Sequence, residues 1–296
     1  MEKQSKILVT GASGLIGSAL VRLLKAEGYE DVITKCVDLT EQEAVQSYFY
    51  NIEPEYVFHL AAHVGGIEQN STEPADFIYN NTLMQCNVLE NAREIGVKKL
   101  LFPGSACAYP HDAEQPIKES SFLQGMPEPT NLAYALAKQN GIVMAKSYAK
   151  QYGMKVVLPM VANTYGIGDK SSHVIPDFIS KIRSAVFCEC EDIFLWGSGA
   201  QLREFIYADD VAEAFLFLMK NYDSDEIINV GTMEEARMFN LAYVISQLLG
   251  YKGNIVCEPS KPEGMPRKCL DSSHIRSLGW SPKISLAEGL RRVIAS

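Results

Sequence analysis

The chain has 296 residues, 47% apolar and 21% charged, enough for a sizeable core in one large domain or in one domain with a smaller lobe. A formal net charge of −9 with no basic run argues against nucleic acid as a partner, while a few placed cations would suffice for a phosphorylated small molecule. No apolar run approaches the about 18 residues of a membrane span; the polar segment 1–6 leads into a strand rather than a secretory leader, and the seven scattered cysteines read as free thiols, so a cytoplasmic protein without membrane partners is expected.

In chain order, strands are predicted over 6–10, 31–36, 56–60, 99–104 and 155–161, and helices over 15–26, 41–50, 73–95 and 132–152. Strands alternating with long helical patterns specify a parallel sheet covered on both faces, because each parallel neighbour needs a crossover. Val156-Val157-Leu158 is apolar throughout, as a strand buried on both faces should be. After Tyr165 the rhythm changes to a helix over 173–183, a short strand over 193–196, a helix over 208–219 and a strand over 227–230, with shorter mixed elements from 235 onward. The expected fold is α/β: a Rossmann-type doubly wound parallel sheet with a smaller α/β substrate-binding lobe. The sheet domain is expected over 1–165 and 203–234, and the smaller lobe over 166–202 and 235–296. Cys188-Glu189-Cys190 has no second pair or nearby histidine, so no metal site is expected.

Gly11-Ala12-Ser13-Gly14-Leu15-Ile16-Gly17 stands between the first strand and the first helix. Gly11 allows the tight turn, Gly14 lets a pyrophosphate approach the backbone, and Gly17 lets the helix pack close; the helix start at Leu15 and Ile16 then offers free N–H groups to the phosphates. An acidic residue closing the second strand would select NAD by binding the ribose 2′-hydroxyl. Lys35 stands there with no carboxylate, and Ser13 adds a hydroxyl, so NADP(H) is the expected cofactor. Asp38 and Leu39 lie where the chain could edge the adenine, and Leu60-Ala61-Ala62 after the third strand are small enough for close backbone contact.

Tyr134 and Lys138 are one helical turn apart on one face. A tyrosine hydroxyl titrates near about 10, and a lysine ammonium beside it favours the phenolate. Ser105 falls at the carboxyl end of the fourth strand, where open α/β sheets bind ligands. The three together make a proton-transfer set for an NADP-dependent oxidoreductase.

These motifs resemble the extended short-chain dehydrogenase/reductases acting on nucleotide sugars, the NAD-dependent epimerase/dehydratase family. The segments 63–67, 74–80, 105–110, 128–131, 172–176 and 196–199, Arg203-Glu204-Phe205, and 261–268 further resemble the GDP-L-fucose synthase group over nearly the whole chain. The resemblance implies a 3,5-epimerase/4-reductase that converts GDP-4-keto-6-deoxy-mannose to GDP-fucose with NADPH. It assigns Ser105, Tyr134 and Lys138 to reduction, and Cys107 and His173 to epimerisation as base and acid. Tyr134, Lys138 and His173 count among the cofactor contacts as well. Protons α to a ketone are acidic enough for a placed thiolate or imidazole to remove. Asn163, Lys181, Trp196, Arg203 and Arg267 are the substrate-binding candidates, Arg203 as a fork for the diphosphate and Trp196 as a flat face for sugar or guanine.

Four features depart from the group: a shorter loop before His173, Leu132-Ala133 in place of an acidic-Pro pair, Val161-Ala162 in place of Pro-Thr, and no arginine for the 2′-phosphate, which leaves Lys35 and Ser13 to meet it. Three other activities stay open: C4 reduction or C3/C5 epimerisation of another GDP-keto-sugar such as a 6-deoxy-heptose, and nucleotide-sugar 4-epimerisation. A 4,6-dehydratase would need a carboxylate near Ser105, and segment 105–109 has none. A non-catalytic cofactor-sensing protein would have no use for the intact Ser105, Tyr134 and Lys138. The long helices 73–95 and 132–152 carry apolar residues on more than one face, which predicts a homodimer joined through a four-helix bundle.

Overall fold

A computed structural model describes residues 1–169, 171, 173–261 and 264–296; Ser172 of the segment 172–176, and Pro262 and Glu263 of the segment 261–268, lie outside the described residues. The chain opens with β1 (Ile7–Thr10), all four residues buried, and α1 (Leu15–Ala26), which turns Ala19, Leu20 and Leu24 into the core. There follow β2 (Val32–Ile33), α2 (Gln42–Ile52), β3 (Tyr56–His59), the short α3 (Ile67–Thr72) and α4 (Pro74–Glu94). Then come β4 (Lys99–Leu101), β5 (Gly104–Ser105), α5 (Leu132–Tyr152), β6 (Val156–Val161) and β7 (Asn163–Tyr165). α5 stops at Gly153, which takes the left-handed conformation (φ 70°) that a side chain resists.

The second half holds α6 (Val174–Phe187), β8 (Asp192–Trp196), β9 (Leu202–Tyr207), α7 (Ala208–Asn221) and β10 (Ile227–Val230). It ends with β11 (Glu235–Arg237), α8 (Met238–Leu248), β12 (Asn254–Glu258), β13 (Arg267–Lys268), α9 (Ser273–Ser277) and α10 (Leu286–Ala295).

Among the described residues, seven strands make one parallel sheet in the order β10-β6-β4-β3-β1-β2, with β5 beside β6. The chain steps from β1 to β2 on one side and then returns to place β3 on the other. The carboxyl ends of β1 and β3 therefore flank the switch point, where such sheets bind ligands. A second sheet runs β11-β9-β13 with β7 beside β9, and β8 pairs with β12 in a third. The expected strand over 31–36 is real only at Val32–Ile33, an edge position paired on one side.

The apolar interior divides in two. The larger cluster lies about the main sheet and takes in Leu270, Ile275 and Trp280 from the last segment. The smaller joins Ile175, Phe178, Ile182, Leu195, Leu241, Ile245 and Leu290 to Tyr165, Phe205 and Tyr207. Among the described residues no helix is long and apolar enough to cross a membrane.

Candidate active site

A cavity of about 1750 Å³ runs from the glycine loop, past the carboxyl ends of β1, β3 and β5, to α6, β8 and β13. Gly11, Ser13, Gly14, Leu15, Ile16 and Gly17 line one end, with Leu60, Ala61 and Ala62 against them. Gly11 has φ 68°, and a Cβ there would lie 2.7 Å from the Ala61 nitrogen; a Cβ at Gly17 would lie 2.1 Å from the Gly11 oxygen. The three strands of backbone are in such contact that only glycine fits. Gly14 caps α1 with no side chain, so the first helical N–H groups face the cavity without a built-in partner. This cradle fits a dinucleotide pyrophosphate.

In the loop after β2, Lys35 and Asp38 are exposed and do not line the cavity; the Lys35 carbonyl accepts from the Tyr48 hydroxyl, and Asp38 Oδ1 accepts from the Thr40 nitrogen at 2.9 Å. Leu39 is buried in the core, its carbonyl accepting from Asn87 Nδ2 at 2.9 Å. Thr40 is the residue of this loop that reaches the cavity wall. The turn that Asp38 makes with Thr40 sends Leu39 inward and leaves the carboxylate in water, so neither residue lines the cavity wall.

At the centre stand Ser105, Cys107 and Tyr134. Ser105 ends β5 and accepts from the Cys107 nitrogen at 3.2 Å, which starts the single helical turn carrying the cysteine. Its hydroxyl lies close enough to the side chains of Tyr134 and Cys107 to favour the deprotonated form of each. Burial pushes Tyr134 well above the usual phenol range, and a negative Cys107 adds to this against the Ser105 bond. Tyr134 is thus held as a proton donor.

Lys138, one turn on, is buried; its ammonium donates to the Pro103 carbonyl at 3.0 Å and lies 4.6 Å from the centre of the Phe102 ring. Burial pulls it down to about 8. The spacing does place Lys138 on the side of Tyr134, but its recorded partners are the strand-end carbonyl and an aromatic face. His59 beneath it is kept neutral, its pKa brought to about 3 by burial and then by Lys138.

Cys107 faces a group that sequence reasoning missed. Lys268 Nζ donates to Cys107 Sγ at 3.3 Å. Burial raises the thiol, yet the Lys268 ammonium, with hydrogen bonds from Ser105, Lys268 and Asn131, brings it below its ordinary value. His173 caps α6 and lines the cavity; burial lowers its pKa, Asp169 opposes, and Lys268 adds to the lowering. One ammonium therefore acts on both residues assigned to epimerisation.

Of the substrate candidates, Asn163, Lys181, Trp196 and Arg203 line the cavity. Asn163 Nδ2 donates to the Glu204 carbonyl at 2.8 Å, and Lys181 pairs with Asp177 at 2.8 Å. Lys261 Nζ lies 5.6 Å from the centre of the Trp196 ring. Arg267 does not line the cavity: its Nε and Nη2 each donate to Glu235 at 2.7 Å. Neighbours on a strand point to opposite faces, so the fork that Glu235 holds outside leaves Lys268 to enter. The signal lay in the pair Arg267-Lys268, since only one of two consecutive strand residues can face a site.

The chain matches the model of the NAD dependent epimerase/dehydratase family over residues 7–231. It is 45% identical to a putative GDP-L-fucose synthase 2 of Arabidopsis thaliana over 98% of this chain and 90% of that one. A GDP-L-fucose synthase of Sinorhizobium fredii is 44% identical over 97% and 93%. Among solved structures, MlghC, a GDP-mannoheptose C4 reductase from Campylobacter jejuni with NADP bound, superposes with a TM-score of 0.92 at 33% identity, covering 100% of this chain and 98% of that one.

Proposed function

Given that this chain belongs to the NAD dependent epimerase/dehydratase family, we propose that it is an NADPH-dependent 3,5-epimerase/4-reductase of a GDP-linked 4-keto-6-deoxy-sugar, of the GDP-L-fucose synthase kind. The observation that carries this reading is the meeting of two proton-transfer sets in one cavity, Ser105 with Tyr134 and Cys107 with His173, beside a glycine cradle. A plain reductase would use the first set and leave the second idle.

The glycine loop with Leu60, Ala61 and Ala62 would hold NADPH, which supplies a hydride for the C4 carbonyl. The rest is done by side chains. Ser105 and Tyr134 donate to the C4 oxygen, and this acidifies the protons on C3 and C5. Cys107, as thiolate, takes one of these protons, and the charge gathers on the oxygen that Ser105 and Tyr134 hold. His173, at the start of α6, returns a proton to the opposite face and inverts the centre. Tyr134 keeps its own proton through these steps, because burial and the thiolate both oppose its loss, and yields it when C4 becomes an alcohol.

In this reading 1–165 and 203–234 hold the cofactor, while 166–202 and 235–296 bring Lys181, Trp196 and Lys268 to the sugar and diphosphate. The enzyme works in the cytoplasm, where its seven free cysteines stay reduced. Two copies pair through α4 and α5, which expose Ile78 and Tyr79, and Val143 and Tyr152, on their outer faces.

The test is product identification in deuterated water, with GDP-4-keto-6-deoxy-mannose and NADPH. GDP-fucose carrying deuterium at C3 and C5 is expected; reduction with neither position labelled would refute the epimerase half. The likeness to a GDP-mannoheptose C4 reductase favours a second reading, in which the keto-sugar is a heptose. A higher kcat/KM on a GDP-linked 4-keto-6-deoxy-heptose in the same assay would select it.

A further inference from the structure

We propose that Lys268 is the positioning residue that makes Cys107 a base, its ammonium holding the sulfur as a thiolate aimed at the α-protons of the keto-sugar; this rests on the epimerase reading above. The contact is direct, at 3.3 Å, and among the described residues no carboxylate competes for that ammonium. The strand that carries it is fixed from several sides. β13 pairs with β9, Lys268 opposite Arg203. The next residues are pinned by Gln115 Oε1, which accepts from the Cys269 nitrogen at 2.9 Å, and by the buried Glu204, whose Oε2 accepts from the Leu270 nitrogen at 2.8 Å. The Ile117 nitrogen donates to the Cys269 carbonyl at 2.8 Å. This frame, with Arg267 forked to Glu235 on the other face, fixes the backbone from which the Lys268 side chain reaches the sulfur.

The electrostatics agree: burial pushes the thiol up, and the Lys268 ammonium is the foremost of the influences that bring it down, ahead of the Ser105 and Asn131 side chains. The titratable groups around Cys107 are Lys268 from β13, Tyr134 from α5 and His173 from the start of α6, the last also facing Asp169; Ser105 and Asn131 are neutral donors. Of these only Lys268 lowers the thiol by its charge. The step balances. The S–H bond forms as the C–H bond at C3 or C5 breaks, and the electron pair passes to the C4 oxygen as an enolate. The ammonium keeps its proton throughout and is left beside a neutral thiol.

The test follows thiolate and exchange separately. Cys107 alkylation by iodoacetamide, read by peptide mass spectrometry against pH, reports the thiolate without substrate. Deuterium incorporation at C3 and C5 reports the base. In Lys268→Met and Lys268→Gln both pH limbs should move up by at least about one unit, about a tenfold loss of thiolate at neutral pH. Lys268→Arg should restore most of it. Limbs that stay in place in both neutral variants would overturn the proposal, as would an arginine variant no better than methionine. Exchange that persists in Cys107→Ser would instead remove the base reading itself, whatever the alkylation shows, and the role of Lys268 with it.

Discussion

Gly17→Ala sets two effects of known size against each other. Alanine favours a helix over glycine by about 1 kcal/mol. The new Cβ, however, would lie 2.1 Å from the Gly11 oxygen, 2.8 Å from the Gly11 carbonyl carbon and 2.9 Å from the Ala12 Cα, all of them backbone. No rotamer relieves such contacts, so the loop and the start of α1 must part by about 1 Å, and overpacking of this kind costs about 1–3 kcal/mol. With only backbone to yield, the upper part of that range applies and the clash wins by about 1–2 kcal/mol. Thermal unfolding should fall by roughly 2–6 °C. The parted surfaces are also the pyrophosphate cradle. A helix start contributes up to about 2 kcal/mol to a bound anion, so the NADPH Kd should rise by about 10–30-fold, measured by fluorescence titration. Gly28→Ala is the control: its φ of 77° carries strain, but a Cβ there meets nothing within 4 Å, so affinity should hold. A higher melting temperature in Gly17→Ala, or an unchanged Kd, would refute the reasoning.

Tyr134→Phe should lower NADPH oxidation by about 10²–10⁴-fold while deuterium exchange into the substrate continues, and Cys107→Ser should show the reverse on an already epimerised keto-sugar; stopped-flow absorbance and NMR read the two. Lys138, pulled down to about 8 in the fold, binds fewer protons there than in the unfolded chain between about pH 8 and its unfolded pKa near 10.5. Its unfavourable contribution is thus fully present below pH 8 and relieved as pH rises through that window, so the stability gained by Lys138→Met should shrink from pH 7.5 to 10 in denaturant titrations; a constant difference would contradict the buried ammonium. Lys35→Ala should weaken NADPH and spare NADH in paired titrations, and equal losses would show that the exposed lysine does not meet the 2′-phosphate. Light scattering should give a dimer at micromolar concentration, and Tyr79→Lys on the outer face of α4 should shift it toward monomer.

The main sheet was legible because its strands are apolar on both faces and its crossovers are long; β1, β3, β6 and β10 lie within a residue of where periodicity put them. The second sheet was not. β11 and β13 pair with β9 over only three and two residues of mixed polarity, whereas β8 was readable over 193–196, where buried Ile193 and Leu195 alternate with exposed Phe194 and Trp196; its partner β12 was not. α3 is six residues of mostly polar sequence held by its neighbours. At the site, Tyr134 and Lys138 were readable because a helix fixes which positions share a face. Lys268 was not, because a two-residue strand gives no periodicity; only Glu235, across β9, decides that Arg267 faces out. The turn in which Asp38 Oδ1 accepts from the Thr40 nitrogen and hydroxyl was not legible either, because such a turn is set by the loop's backbone path.

The position of Lys268 along the chain has a consequence for the newly made protein. Residues 1–231 contain the whole parallel sheet, the glycine cradle and every other group gathered around Cys107. The ribosome delivers them before residue 268, and the earlier part of a chain folds first. Until the segment 267–271 seats itself against Gln115, Ile117 and Glu204, Cys107 lacks its ammonium and remains an ordinary buried thiol. Thiolates are the form that oxidants attack. With Lys268 as the group that makes the thiolate, the sulfur would become reactive only in the last stage of assembly, when the cavity around it is complete.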